Sequence, residues 1–291
     1  MTIDPARPVV VVTGASAGIG KSAAKMLVAK GWQVIGTGRD PTRSAEAESE
    51  IAAAAKDGGS FTMLRGDFNL MAEVRRVADE IKALTPRIDV LLNNAGGVRD
   101  KLIETAEGAE ATFAANHLAP FVLTRELMPL LKATVAGALP GSIRIISTSS
   151  SAHRRTDGID WDDLQSRQTG HAVAAYCRAK LANILFTREL ARRLEGSGIV
   201  AQVMHPGVVA SNFASHGDQA MKSHMATADA VSPDEPAETL VWLATDPEAG
   251  RVPGRYFYRK AEEEPAPCAL DDTAAARLWT QTEALLSEIE S

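Results

Sequence analysis

Four consecutive valines, Val9–Val12, run directly into Thr13–Gly20 (TGASAGIG), and an amphipathic segment, Gly18–Lys30, follows at once. No other feature restricts the fold as much. An unbroken β-branched run suits a strand covered on both faces, as in a parallel sheet. Gly14, Gly18 and Gly20 allow a tight turn and a close approach of helix to strand, where a Cβ would intrude. The chain therefore opens on a strand–turn–helix unit whose turn presents backbone amides at a helix start.

The same alternation continues to the other end. Strands are expected at Pro8–Val12, Gln33–Thr37, Phe61–Leu64, Ile88–Asn93, Ser142–Ser147 and Ile199–His205. Helices are expected at Gly18–Lys30, after Asp40-Pro41 with Asp40 as N-cap, at Leu70–Leu84, from about Glu104 to Thr134, and through Tyr176 to about Glu195. Arg255–Tyr258 reads as an edge strand. Asp272–Ile289 reads as a last helix with Leu278, Trp279, Leu285 and Ile289 on its apolar side. Strands spaced by helices imply right-handed crossovers and a parallel sheet. No linker or repeat divides the 291 residues. The expected architecture is one α/β domain over 1–291, a Rossmann-type doubly wound parallel sheet with helices on both faces. Such a sheet takes its ligand at the carboxyl ends of the strands.

Composition narrows the function by exclusion. A net charge of −6 with no clustered basic face argues against nucleic acid and anionic lipid as partners. The N-terminal MTIDPARPVVVV lacks the basic and long apolar regions of a signal peptide or membrane anchor, so the cytoplasm is the expected compartment. Cys177 and Cys268 are the only cysteines, and the six histidines form no ligand pattern, so neither a disulfide framework nor a metal site is expected.

The glycine turn is shaped for a pyrophosphate. Amides at a helix start face an anion there, aided by the helix dipole, and Ser16 adds a hydroxyl donor. The bland reading is an ordinary glycine-rich turn, and the spacing is GxxxGxG, not the common GxGxxG. Strand two ends in Thr37-Gly38-Arg39 with no carboxylate before Asp40, which is committed as the helix cap. Arg39 then points to the 2′-phosphate of NADP(H) in place of a ribose-binding acid; a solvated loop arginine is the alternative. Asp67, after strand three, is either an adenine contact or a cap for the next helix.

Tyr176 and Lys180 lie four apart on one helix face. An ammonium beside a phenol favours the phenolate and lowers its pKa, making a proton donor and acceptor for a carbonyl–alcohol pair. Ser150, at the end of strand five, can hydrogen-bond the same oxygen. Such a Tyr/Lys pair alone is usually structural, and Ser147, Ser149, Ser150 and Ser151 crowd one strand end. The order glycine loop, strand-end serine, Tyr/Lys helix carries the weight.

That order resembles the short-chain dehydrogenase/reductase family over roughly residues 8–260. Asn93-Asn94-Ala95-Gly96 matches its NNAG motif, Asn116 its helix-four asparagine, and Pro206–Ser211 its PG segment. The segments at 149–153 (SSSAH), 175–190 (AYCRAKLANILFTREL), 205–211 (HPGVVAS) and 254–257 (GRYF) resemble the retinol dehydrogenase-like branch. The resemblance implies Ser150, Tyr176, Lys180 and Asn116 as catalytic residues, with Asn116 holding a water that links Lys180 to bulk proton exchange. It implies cofactor contacts from Gly14, Ser16, Gly18, Ile19, Gly20, Arg39, Asp67, Phe68, Asn94, Ala95, Gly96, Tyr176, Lys180, Pro206, Gly207, Val209 and Ser211. It implies an NADP(H) enzyme that interconverts a lipophilic aldehyde or ketone and its alcohol, paired as a homodimer through the helices after strands four and five. A substrate lid is expected around 212–230, unusually polar here, and a C-terminal helical extension around 270–290. The alternative is a non-catalytic dinucleotide sensor or scaffold on the same fold.

Other residues are given structural roles. His205 reads as a packed strand-end residue, His153 as a loop-structuring one and Trp279 as a packing anchor. Cys177 points away from the reacting centre, and Arg259–Glu264 reads as a solvated loop.

Overall fold

The computed structural model describes residues 4, 6–210 and 229–289. The valine run forms β1 (Val9–Val12) and the glycine turn leads into α1 (Gly18–Val28). Next come β2 (Gln33–Gly38), α2 (Pro41–Ala53), β3 (Ser60–Arg65), α3 (Met71–Leu84) and β4 (Val90–Asn93). Asp40 caps α2 as expected, its carboxylate accepting from Arg43 N at 2.9 Å. A helical turn (Ala111–Phe113) and a π-helical turn (Ala114–Leu118) run into α4 (Ala119–Val135). Then follow β5 (Ile143–Thr148), α5 (Ala172–Arg193), β6 (Ile199–Met204), α6 (Asp234–Thr245), β7 (Tyr256–Tyr258), β8 (Ala261–Glu262) and α7 (Asp272–Ile289).

The sheet order is β3-β2-β1-β4-β5-β6-β7-β8, parallel except for the β7–β8 pair. The alternation of β1 shows why both faces must be covered. Val9 and Val11 point into a core with α3, α4, α5 and α7, whereas Val10 and Val12 point into one with α1, α2 and α6. The chain winds outward from β1 through β2 to β3 and then crosses back to β4. The crevice at that reversal, outside the carboxyl ends of β1 and β4, is where such sheets bind ligands.

Three local expectations are revised. The helix expected from about Glu104 starts only at Ala111. Glu104 pairs with Glu110 across a tight turn that Gly108 closes at φ +78°, and Glu110 then caps the helix by accepting from Phe113 N at 2.8 Å. The charged run Arg259–Glu264 is largely solvent-exposed as expected, but it is a tight turn and a short strand rather than a loop. Arg259 and Lys260, at φ +47° and +61°, turn the chain from β7 into β8. Their side chains pair with Glu235 and Glu238 of α6. Arg255–Tyr258 is consequently not the sheet edge, because β8 covers it.

α7 closes one face, burying Ala275, Leu278, Thr282 and Leu286, with Trp279 in ring contact with Phe121 and Phe186. His117 of the π-helical turn is fully buried against it, its Nε2 2.9 Å from Thr282 Oγ1. Burial lowers its pKa to about 3. The unfolded chain, with an ordinary histidine near 6.5, takes up this proton first. Its contribution is therefore complete above pH 6.5 and falls by about 1.4 kcal/mol per pH unit between 6.5 and 3. His117→Gln should flatten that slope. Urea unfolding at pH 6.5 and 5 should show a wild-type loss about 2 kcal/mol larger than the variant's, and equal losses would contradict the assignment.

Candidate active site

The cleft at the β1–β4 reversal has a volume of about 350 Å³. Ser16, Ala17, Gly18 and Ile19 line it from the first turn of α1, whose N-cap, Ala17, supplies no side-chain acceptor. The first amides of a helix have no intrahelical partner, so these donors stand toward the cleft. Gly14 and Gly18 sit at φ +72° and +53°, conformations that a Cβ would strain. Gly20 does not line the cleft. A Cβ there would stand 2.3 Å from Gly14 O and 2.6 Å from Asn94 Nδ2, so it lets α1 close against both loops.

The opposite wall is Asn94–Arg99, after β4. Thr13, which sequence reasoning passed over, ties the walls together. Its Oγ1 accepts from Asn94 N and Ala95 N, both at 2.9 Å, and its carbonyl accepts from Asn94 Nδ2 at 2.9 Å. Asn93 donates to Thr124 Oγ1. The Asn-Asn pair is thus a brace between β1, β4 and α4.

At one end of the cleft lie Arg39, Arg43, Asp67, Phe68 and Arg99. Arg39 Nη1 is 4.0 Å from Asp67 Oδ1. Asp67 does not cap α3; it accepts from Asn69 N in a local turn, while Glu107 receives Met71 N and Ala72 N. Arg43 was not anticipated, although its place four residues after Arg39 and inside the capped turn of α2 was a usable signal. Arg99 is half-buried and donates to Asn69 Oδ1, and nothing in the sequence marked it.

At the other end, Tyr176 and Lys180 of α5 reach the cleft floor beside Ala115, Thr148 and Ser149. Ser149 and Ser150 separate cleanly. Ser149 Oγ donates to Lys180 O at 2.7 Å inside the core. Ser150 shares a hydrogen bond with the Tyr176 hydroxyl and accepts from Ala152 N at 3.2 Å. Lys180 Nζ donates to Thr148 O at 3.1 Å and lies 5.6 Å from the Tyr176 ring centroid. Asn116 sits in the π-helical turn, a feature frequent at functional sites. Its amide grips Gly97, accepting from N at 3.1 Å and donating to O at 2.9 Å.

One electrostatic expectation is overturned. Burial raises the Tyr176 pKa, and the hydrogen bond to Ser150 offsets only part of that rise. Burial also brings Lys180 down to about 8. The phenol is therefore held in its protonated form, the form that donates to a carbonyl oxygen.

Pro206 lines the cleft, Gly207 and Val209 are not among its lining residues, and Val209 is bridged to Val231. Ser211 and the expected lid, up to residue 228, lie outside the described residues. His205 is packed between tyrosines and His153 is buried with both nitrogens bonded, as their structural readings required. Among the described residues no acidic, histidine and cysteine groups cluster as metal ligands, and no helix is long and apolar enough to cross a membrane.

The model of the short chain dehydrogenase family matches residues 8–222. The chain belongs to that family. As a family member it is an oxidoreductase built around a nicotinamide dinucleotide. Retinol dehydrogenase 14 of Homo sapiens is 37% identical, over 95% of this chain and 85% of the relative. Polyprenol dehydrogenase of Mus musculus is 36% identical, over 94% and 82%. Among solved structures, the Pseudomonas aeruginosa RhlG/NADP active-site complex superposes with a TM-score of 0.69 at 26% identity, covering 90% of this chain and 96% of that one. These likenesses place carbonyl–alcohol oxidoreduction of a small molecule within the family's reach.

Proposed function

We propose that this short-chain dehydrogenase is an NADP(H)-dependent carbonyl reductase, reversible as an alcohol dehydrogenase, with Tyr176 as its acid and base. The observation that carries the reading is one cleft with two chemically distinct ends. One end is lined by Tyr176, whose hydroxyl bonds to Ser150, and by Lys180; the other holds the guanidinium groups of Arg39 and Arg43.

The residues present fit a dinucleotide. The uncapped amides of α1 would take the pyrophosphate, Asp67 and Phe68 the adenine, Lys180 the nicotinamide ribose, and Pro206 with Gly207 the carboxamide. When bound, the nicotinamide supplies or accepts the hydride. Ser150 Oγ would bind the substrate oxygen, and Tyr176 Oη would donate its proton there during reduction. To withdraw one during oxidation it must overcome the rise that burial gives its pKa, a rise that the positive charge of an oxidised nicotinamide would oppose. Asn116 holds the Gly97 loop against Lys180, where the water attributed to it would sit. The relatives named for retinol and polyprenol, both apolar alcohols, support a lipophilic aldehyde or ketone as substrate. The continuous sheet supports reading 1–291 as one domain.

The preference for NADP(H) rests on Arg39 and Arg43. No carboxylate stands free at the end of β2, since Asp40 is engaged as the cap of α2. A charge-assisted contact of this kind contributes about 1.5–3 kcal/mol, so Arg39→Asp should raise the NADPH Kd by about tenfold or more and leave NADH binding nearly unchanged. An unaltered NADPH/NADH ratio would remove Arg39 from its role. The reading as a whole is tested by turnover of apolar aldehydes and ketones with NADPH; absence of turnover across the panel would contradict it.

A further inference from the structure

Beside the reacting end of the cleft, the groups that join its loops are not the ones that line it. His205 follows β6, is 5% exposed, and lies flat between Tyr256 and Tyr258, with ring centroids 5.2 and 4.2 Å away. Both of its nitrogens are engaged. Nδ1 accepts from Gly207 N at 3.3 Å, so Nε2, 3.2 Å from Glu263 Oε2, carries the hydrogen that the carboxylate accepts. Gly207, at φ +75°, is seated on Tyr258: a Cβ there would stand 3.1 Å from Tyr258 Oη.

Glu263 also reaches the other way. Its Oε1 accepts from Arg154 Nη2 at 2.6 Å, and the same guanidinium nitrogen donates to Glu264 O at 2.6 Å. Arg154 belongs to the 3₁₀ turn Ser151–Arg155, whose N-cap is Ser150. From that turn His153 donates through Nδ1 to Ser150 O at 2.7 Å and accepts at Nε2 from Ala266 N at 3.0 Å. The segment 263–266 therefore holds the turn that carries Ser150 and, through His205, the loop Pro206–Gly207.

We propose that Glu263 is a positioning residue that fixes the Ser150 turn and the Pro206–Gly207 loop in a single geometry, so that the oxygen-binding and nicotinamide-binding parts of the site are set together. The proposal rests on the functional reading above. An isolated exposed ion pair contributes little to stability. This one matters because its partners continue into two loops of the site.

The test compares wild type with Glu263→Ala, Arg154→Ala and the double variant. Its readouts are kcat and KM for an apolar aldehyde, the Kd of NADPH, and the Kd of 2′,5′-ADP, which carries the 2′-phosphate but no nicotinamide. Each single variant should lower kcat by about tenfold, and the double variant by about the same factor, because one connection is lost in all three. NADPH should bind roughly three- to tenfold more weakly while 2′,5′-ADP stays within about twofold, and Glu263→Gln, which still accepts from His205, should recover part of the loss. A kcat within about twofold of wild type, or parallel weakening of NADPH and 2′,5′-ADP, would overturn the assignment. If wild type binds NADPH but reduces no carbonyl, the functional reading fails, and the split between the two ligands still decides the role of Glu263. If wild type binds no dinucleotide, both fall.

Discussion

Tyr176→Phe is expected to lower kcat by about a thousandfold, within the range a positioned proton donor contributes, while NADPH affinity changes by less than about threefold. The split follows from the geometry. The hydroxyl is the only atom removed, and it bonds to Ser150 rather than to the walls that would hold the dinucleotide. The ring stays buried in α5, so the fold has no reason to relax. Stopped turnover with intact binding would separate a proton-transfer role from a packing one. Retained turnover would refute the mechanism.

The second large effect is expected at Gly20. Its backbone would admit an alanine by conformation, but the added methyl would meet Gly14 O at 2.3 Å, Asn94 Nδ2 at 2.6 Å and Gly14 C at 2.9 Å. Two of these are backbone atoms, and Asn94 is held by Thr13, so no flexible side chain can absorb the clash. Gly20→Ala must push α1 away from both walls of the cleft. The expected cost is about 1–3 kcal/mol in stability and about a hundredfold in dinucleotide affinity. Gly137→Ala is the control, since nothing lies within 4 Å of its Cβ position. Thermal unfolding and a binding titration on the two variants check both numbers. A Gly20→Ala protein that binds as wild type does would mean that the turn does not form the cradle.

The order of strands and helices was legible because the local signals were strong: valines beside glycines at the first turn, Asp40-Pro41 at α2, and an apolar stripe on α7 that structure and sequence bound alike, at Asp272–Ile289. The late start of the fourth helical region was not legible. Glu104 to Glu110 carries helix-forming residues, but Gly108 and the Glu104–Glu110 pairing turn it into a hairpin that only tertiary context selects. At the site, types and spacing pointed to Tyr176, Lys180 and the glycines, and the structure brings them around one cleft. Residue types alone left Ser149 and Ser150 equivalent at one strand end; the family resemblance pointed to Ser150, and it is Ser150 that bonds the phenol while Ser149 donates to Lys180 O. The direction of the Tyr176 shift needed burial, which no spacing reveals. The pairing of Glu263 with Arg154 and His205 joins residues 109 and 58 positions apart, beyond any local pattern.

A fluorescence titration of the purified protein with NADPH and NADH side by side reads out whether the cleft holds a dinucleotide and selects for its 2′-phosphate. The prediction is saturable NADPH binding with NADH at least about tenfold weaker. Binding of neither nucleotide would contradict the account and leave a member of the family whose cleft serves some other purpose.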